Sequence, residues 1–193
     1  MADPLAPIAR LPGRGSAHRC MLRTIRLDPS DTLIFPATAE PGEWAVPGGF
    51  SFWDDAPEAL AGKRQQAFRG GFLGLGAFGW STLVEVAAIT PDALVIATEA
   101  LATHIQAHHG APDVQAARAA AAEEIAFAQS LCDQPEGTVF ALHRSHDAGG
   151  AVREAFRTLH RREAPHRDFG ALPVFAIAPV EDEASAPPTL QLS

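Results

Sequence analysis

Long apolar runs are missing from this chain. No stretch of about 18 uninterrupted apolar residues occurs, so the sequence predicts no membrane-spanning helix. The closest candidate, residues 83–102, is interrupted by Glu85, Pro91, Asp92 and Glu99. Cysteine is scarce: Cys20 and Cys132 form no CxxC pair and no disulfide framework, which fits a reducing compartment. The opening Met1-Ala2-Asp3-Pro4 lacks the basic flank and apolar run of a secretion signal, so the expected location is the cytoplasm. Lysine is almost absent. Lys63 is the sole lysine among 15 basic residues, a bias that fits a GC-rich coding sequence and carries no chemistry of its own.

Catalytic signatures are missing as well. There is no HExxH for zinc and no GxSxG nucleophile elbow, of which Gly79-Trp80-Ser81-Thr82 supplies only half. Gly62-Lys63 continues with Arg64 and lacks the upstream glycine of a phosphate-binding loop. The residues therefore assign no catalytic group and call for no cofactor.

What is present suits one globular domain. A length of 193 residues with 47 % hydrophobic content can build a core. The formal charge of −8 argues against nucleic acid, whose non-specific binding rests on neutralising phosphates. The charge is uneven. Residues 81–142 carry Glu85, Asp92, Glu99, Asp113, Glu123, Glu124, Asp133 and Glu136 against Arg118 alone, whereas residues 143–167 are rich in arginine and histidine.

Residues 1–19 hold Pro4, Pro7, Pro12, Gly13 and Gly15 without period and read as a disordered tail. Residues 21–27 alternate as a strand, and Met21 reads as a natural start. Asp28-Pro29-Ser30-Asp31 is turn chemistry, after which residues 32–35 can return as a second strand of an early hairpin. Residues 36–80 hold all three tryptophans and many of the glycines, and read as loop, bulge or strand edge around a helix at about 57–69 with Pro57 in its first turn. Residues 81–89 form a strand. Thr90 then caps a helix with Pro91 at its first position, and Gly110 ends it. A second helix starts at Pro112, with Val114, Ala117, Ala121, Ile125, Ala128 and Cys132 along one stripe.

Residues 138–144 form another strand, followed by the turn Asp147-Ala148-Gly149-Gly150. Residues 152–159 suit either a helix or a returning strand, and residues 174–178 suit an edge strand. The expected fold is α+β: one domain over residues 20–180, with a mainly antiparallel sheet of about four to five strands packed against a helical hairpin. Residues 181–193 form an acidic, proline-containing tail.

Gly74-Leu75-Gly76-Ala77-Phe78-Gly79 matches GxGxxG by letter. Dinucleotide binding needs a strand before it and a helix after, so that pyrophosphate meets a helix N-terminus. Here a helix precedes and a strand follows, which favours glycines that let aromatic residues pack on close backbone. His104 and His108 are four apart on one helix, the spacing at which two imidazoles share a metal. A third ligand would have to come from Cys132, His143 or His146, and Glu99 lies on nearly the opposite face. Capping the last helical turn, where imidazolium meets the helix dipole, is the favoured role, so no metal is expected.

Glu123-Glu124 are expected to be solvated. Cys132 on the helix stripe is expected to act as a small hydrophobe. Trp44, Phe50, Trp53 and Trp80 are candidates for lining a small-ligand pocket, against the commoner role of aromatic residues as core.

The run from Lys63 to Leu75 (KRQQAFRGGFLGL), then Phe78-Gly79-Trp80-Ser81-Thr82, resembles an uncharacterised bacterial family, a domain of unknown function. His109-Gly110-Ala111-Pro112-Asp113 and Glu123-Glu124-Ile125 are similar too. The resemblance covers roughly residues 21–160 and implies a domain beginning near Met21, with no assigned activity. The leading expectation for function is a non-enzymatic binding or accessory module whose partner is another protein or a small ligand, with neither nucleic acid nor membrane. The alternatives are a small metal-dependent or acid/base enzyme centred on His104 and His108, and a small-ligand binder using the aromatic segment 42–80.

Overall fold

The structure is a computed structural model that describes residues 19–159. The tails expected at 1–19 and 181–193, and the edge strand expected at 174–178, lie outside the described residues except for Arg19.

The described residues form thirteen elements, and the strands join one sheet. Strands β1 (Cys20–Ile25), β2 (Trp44–Val46), β3 (Phe72–Gly74), β4 (Trp80–Ser81), β5 (Leu83–Ala88), β6 (Val139–His146) and β7 (Val152–Leu159) lie in the order β4-β3-β2-β1-β5-β6-β7. Every neighbouring pair is antiparallel. The α+β class is as expected, but the sheet has seven strands rather than four to five. The extra strands come from segment 36–80. There β2, β3 and β4 are three, three and two residues long, too short to display an alternating pattern. The ambiguous segment after Gly150 is β7, turned back onto β6 at the turn containing Gly150.

Residues 32–35 do not form the expected second strand. Helix α1 (Ser30–Ile34) stands there instead, and β1 pairs with β2 and β5. The cause is Asp31. Its buried carboxylate accepts from the Thr82 N–H at 3.1 Å and from the hydroxyls of Thr82 and Ser81, which draws the segment inward at that residue. The helix expected at 57–69 is split into a single turn at Pro57–Ala59 and α2 (Gly62–Gly70), because Leu60 and Ala61 between them are extended and Gly62 enters α2 at φ +55°.

Two longer helices form the second layer. α3 (Pro91–His108) is capped by Thr90, whose hydroxyl accepts from the Ala93 N–H at 3.2 Å. α4 (Val114–Ser130) is capped by Asp113 rather than starting at Pro112, with Asp113 Oδ1 accepting from the Ala116 N–H at 2.8 Å. The short link 109–113 turns α4 back along α3. Ala97, Leu101, Ala102 and Ile105 of α3, with Ala117, Ala121, Ile125 and Ala128 of α4, are the buried faces. The alanines let the axes approach closely, and α4 packs over β1 and β2 while α2 packs on β6. Among the described residues no helix is long and apolar enough to cross a membrane.

Candidate functional site

The site is built around an arginine in the core. On β6, alternate residues Phe140, Leu142 and Arg144 point inward, so the third of them carries a guanidinium into the interior. Arg144 is 1 % exposed. Its Nη1 donates to the carbonyls of Phe68 at 3.1 Å and Gly71 at 3.0 Å, and its Nη2 to the carbonyl of Pro47. Its Nε donates to Glu154 Oε1 on β7 at 2.5 Å. A buried charge persists only when paired and hydrogen-bonded, and here all three guanidinium nitrogens have partners. The result is a tie between the end of α2, the start of β3, strand β7 and the loop at Pro47.

That loop carries the aromatic groups. Gly48 adopts φ +74°, and a Cβ there would stand 2.7 Å from Leu73 Cβ, so the tight entry into the single turn Gly49–Phe52 requires glycine. Phe52 is buried against Phe68 (ring centroids 5.4 Å) and Trp80 (5.0 Å), with the Arg64 guanidinium 4.9 Å from its ring centroid. Phe50 is buried on the other side, edge-on to His109 at 5.0 Å. Trp53 follows and is left 79 % exposed.

Beneath Trp53 lie two adjoining clefts, and Phe50, Trp53 and Glu124 line both. The larger, about 360 Å³, runs between the loop and the α3–α4 hairpin, with Ile105, His109, Ala116 and Glu123 also on its walls and Asp54 at its rim. The smaller, about 220 Å³, is bounded by Phe127, Val152 and Glu154. Glu124 is half-buried, and its Oε2 is fully buried with no hydrogen-bond partner among the described residues. Burial first, then the charge of Glu154, pushes its carboxyl up to about 7, while Arg144 and the Gly48 N–H pull the other way.

The family described as "Family of unknown function (DUF6505)" matches residues 19–176. The chain belongs to DUF6505. No curated protein and no solved structure matches it.

In this DUF6505 chain the four aromatic candidates lie in different surroundings. Phe50 and Trp53 line the clefts, Trp80 is buried against Phe52, and Trp44 is half-buried at the core edge. The two histidine candidates lie toward the end of α3. The ring of His104 stacks on Phe78 at 3.8 Å, with His108 at 4.8 Å and His109 at 5.2 Å. Burial, then His109 and His108, lower His104 to about 4. His146 stacks on Phe68 at 4.7 Å, and the Cys132 thiol donates to the Ala128 carbonyl at 3.4 Å. Among the described residues no three His, Cys, Asp or Glu side chains are placed to hold a metal ion.

The GxGxxG run is the turn between β3 and β4. Glu43 occupies its amides, with Oε2 accepting from Gly76 N–H at 2.8 Å and Ala77 N–H at 2.9 Å. A Cβ at Gly79 would stand 2.3 Å from the Thr38 backbone, so this glycine serves close packing. Arg144 and Glu154 went unsingled in the sequence, and Glu124 was expected to be solvated. The signal for Glu124 was legible: it continues the spacing of Ala117, Ala121 and Ala128 on the inward stripe of α4.

Proposed function

We propose that this protein is a non-enzymatic binding module whose site is the double cleft beneath Trp53, and that its partner is a small ligand. The observation that carries this reading is Glu124: a half-buried carboxylate, one oxygen unpartnered among the described residues, where two clefts share aromatic walls. A concave site with apolar walls and few convergent polar groups is the usual architecture for a small ligand, and 360 Å³ falls at the compact end of that range. Arg144 and the buried Phe52 hold the loop, so the site is largely preformed.

The rival, an acid/base enzyme centred on His104 and His108, is weaker on this geometry. A histidine held to about 4 is a poor base near neutrality, and its ring lies flat on Phe78. The scarcity of cysteine supports a cytoplasmic setting, and the acidic balance disfavours nucleic acid as a partner.

The test is a fragment screen by thermal shift on the full chain, repeated on Ala116→Trp, which fills the larger cleft from the half-buried start of α4. Stabilising fragments should be found and should lose their effect in the variant. Fragments that stabilise both proteins equally would place binding elsewhere.

A further inference from the structure

The larger cleft is unbalanced in charge. Asp54, Glu123 and Glu124 lie on its walls, and among the described residues no lysine or arginine does. His109, the other ionisable group on the walls among the described residues, is shifted toward its neutral form by burial first and then by His108 and Arg64, against the pull of Asp54. The two arginines close by are committed. Arg144 gives all three nitrogens to Glu154 and to backbone carbonyls. Arg64 is held by Asp55 at 2.8 Å and by the Ser51 carbonyl at 2.7 Å. Neither lines the cleft. The aromatic walls suit the same sign of ligand: Trp53 and Phe50 line the cleft, and aromatic rings attract cations electrostatically.

We propose that the larger cleft takes an organic cation, a small alkylammonium compound whose charged head meets Glu124 between Phe50 and Trp53. This rests on reading the cleft as a ligand site and adds the class of ligand. A cation there offsets the charge of the half-buried carboxylate, whose Oε2 has no hydrogen-bond partner among the described residues. The groups facing Glu124 are Glu154 and Arg144 from the sheet, Glu123 from its own helix and the Gly48 N–H from the loop, with Asp54 and His109 also on the cleft wall. Because burial and Glu154 raise Glu124 to about 7, an ammonium ligand competes with a proton. Its affinity therefore rises as pH passes through that region and levels off above it.

Calorimetric titration of the full chain with three probes of one shape tests this: choline, its neutral carbon isostere 3,3-dimethyl-1-butanol, and the anion 3,3-dimethylbutanoate. Choline should bind at least about tenfold more tightly than the isostere, and more tightly at pH 8 than at pH 6. Glu124→Gln should remove most of that preference and its pH dependence, while leaving the isostere unchanged. Asp54→Asn, on the exposed loop, should weaken choline by a smaller factor and serves if Glu124→Gln folds poorly. Equal or tighter binding of the isostere or the anion would overturn the cation assignment and leave the cleft standing as a binding site. Absence of binding by all three probes would overturn the cation assignment, and with no cleft-directed fragment hits the ligand site would fall as well.

Discussion

Arg144 and Glu124 sit on opposite sides of the same electrostatic balance, and each makes a different prediction. Truncating a buried, fully bonded ion pair leaves its partners unsatisfied, so Arg144→Leu should cost about 3–5 kcal/mol by denaturant titration. A cost below about 1 kcal/mol would mean that the ties to Pro47, Phe68 and Gly71 do not hold the loop. Glu124 acts in the reverse sense. Its folded carboxyl is raised to about 7 from 4.5, so the folded state binds the extra proton and loses stability as pH climbs from about 4.5 to 7. Glu124→Gln should remove that loss and be relatively more stable at pH 7.5 than at pH 5, by at least about 1 kcal/mol. A pH-independent difference between the two proteins would show that the carboxyl is not perturbed. Both residues were partly visible in the sequence. Arg144 follows Phe140 and Leu142 at strand spacing, and Glu124 follows Ala117 and Ala121 at helix spacing. What the sequence could not show is that these two inward charges, from separate elements, come together with Glu154.

At the scale of elements, the helical hairpin was the most legible part because its signals are local. Thr90, Pro91 and Gly110 mark the ends of α3, and the alanine stripe marks the buried face of α4. Leu101 is fully buried in the middle of α3, so Leu101→Ala should cost about 2–5 kcal/mol. Asp113→Ala should cost about 0.5–2 kcal/mol through loss of the cap on α4. If thermal unfolding ranks these two in the opposite order, the burial pattern assigned to α3 is wrong. Where structure depends on distant partners, the sequence was silent. β2, β3 and β4 are too short for periodicity, and α1 is set by a carboxylate whose partners lie some 50 residues on, at Ser81 and Thr82.

On the scale of the whole described body, the sheet and hairpin act as a frame that presents one loop. Gly48 and the two buried phenylalanines fix the turn, Arg144 anchors its start, and the exposed Trp53 projects over the clefts. Membership of DUF6505 spans this whole frame, residues 19–159, and continues to residue 176. Only the parts of the site carried by single elements were readable in advance. Phe50 and Trp53 stood out by type, but their separation from Trp44 and Trp80 follows from how the loop folds over α4. The most direct measurement is amide chemical-shift mapping of the full chain during titration with a cleft-directed fragment. Shifts should concentrate at Gly49–Asp54, His109–Ala116 and Glu123–Phe127, with the Trp53 indole among the largest. Shifts spread over the exposed faces of the sheet and α3, with Trp53 unmoved, would contradict it.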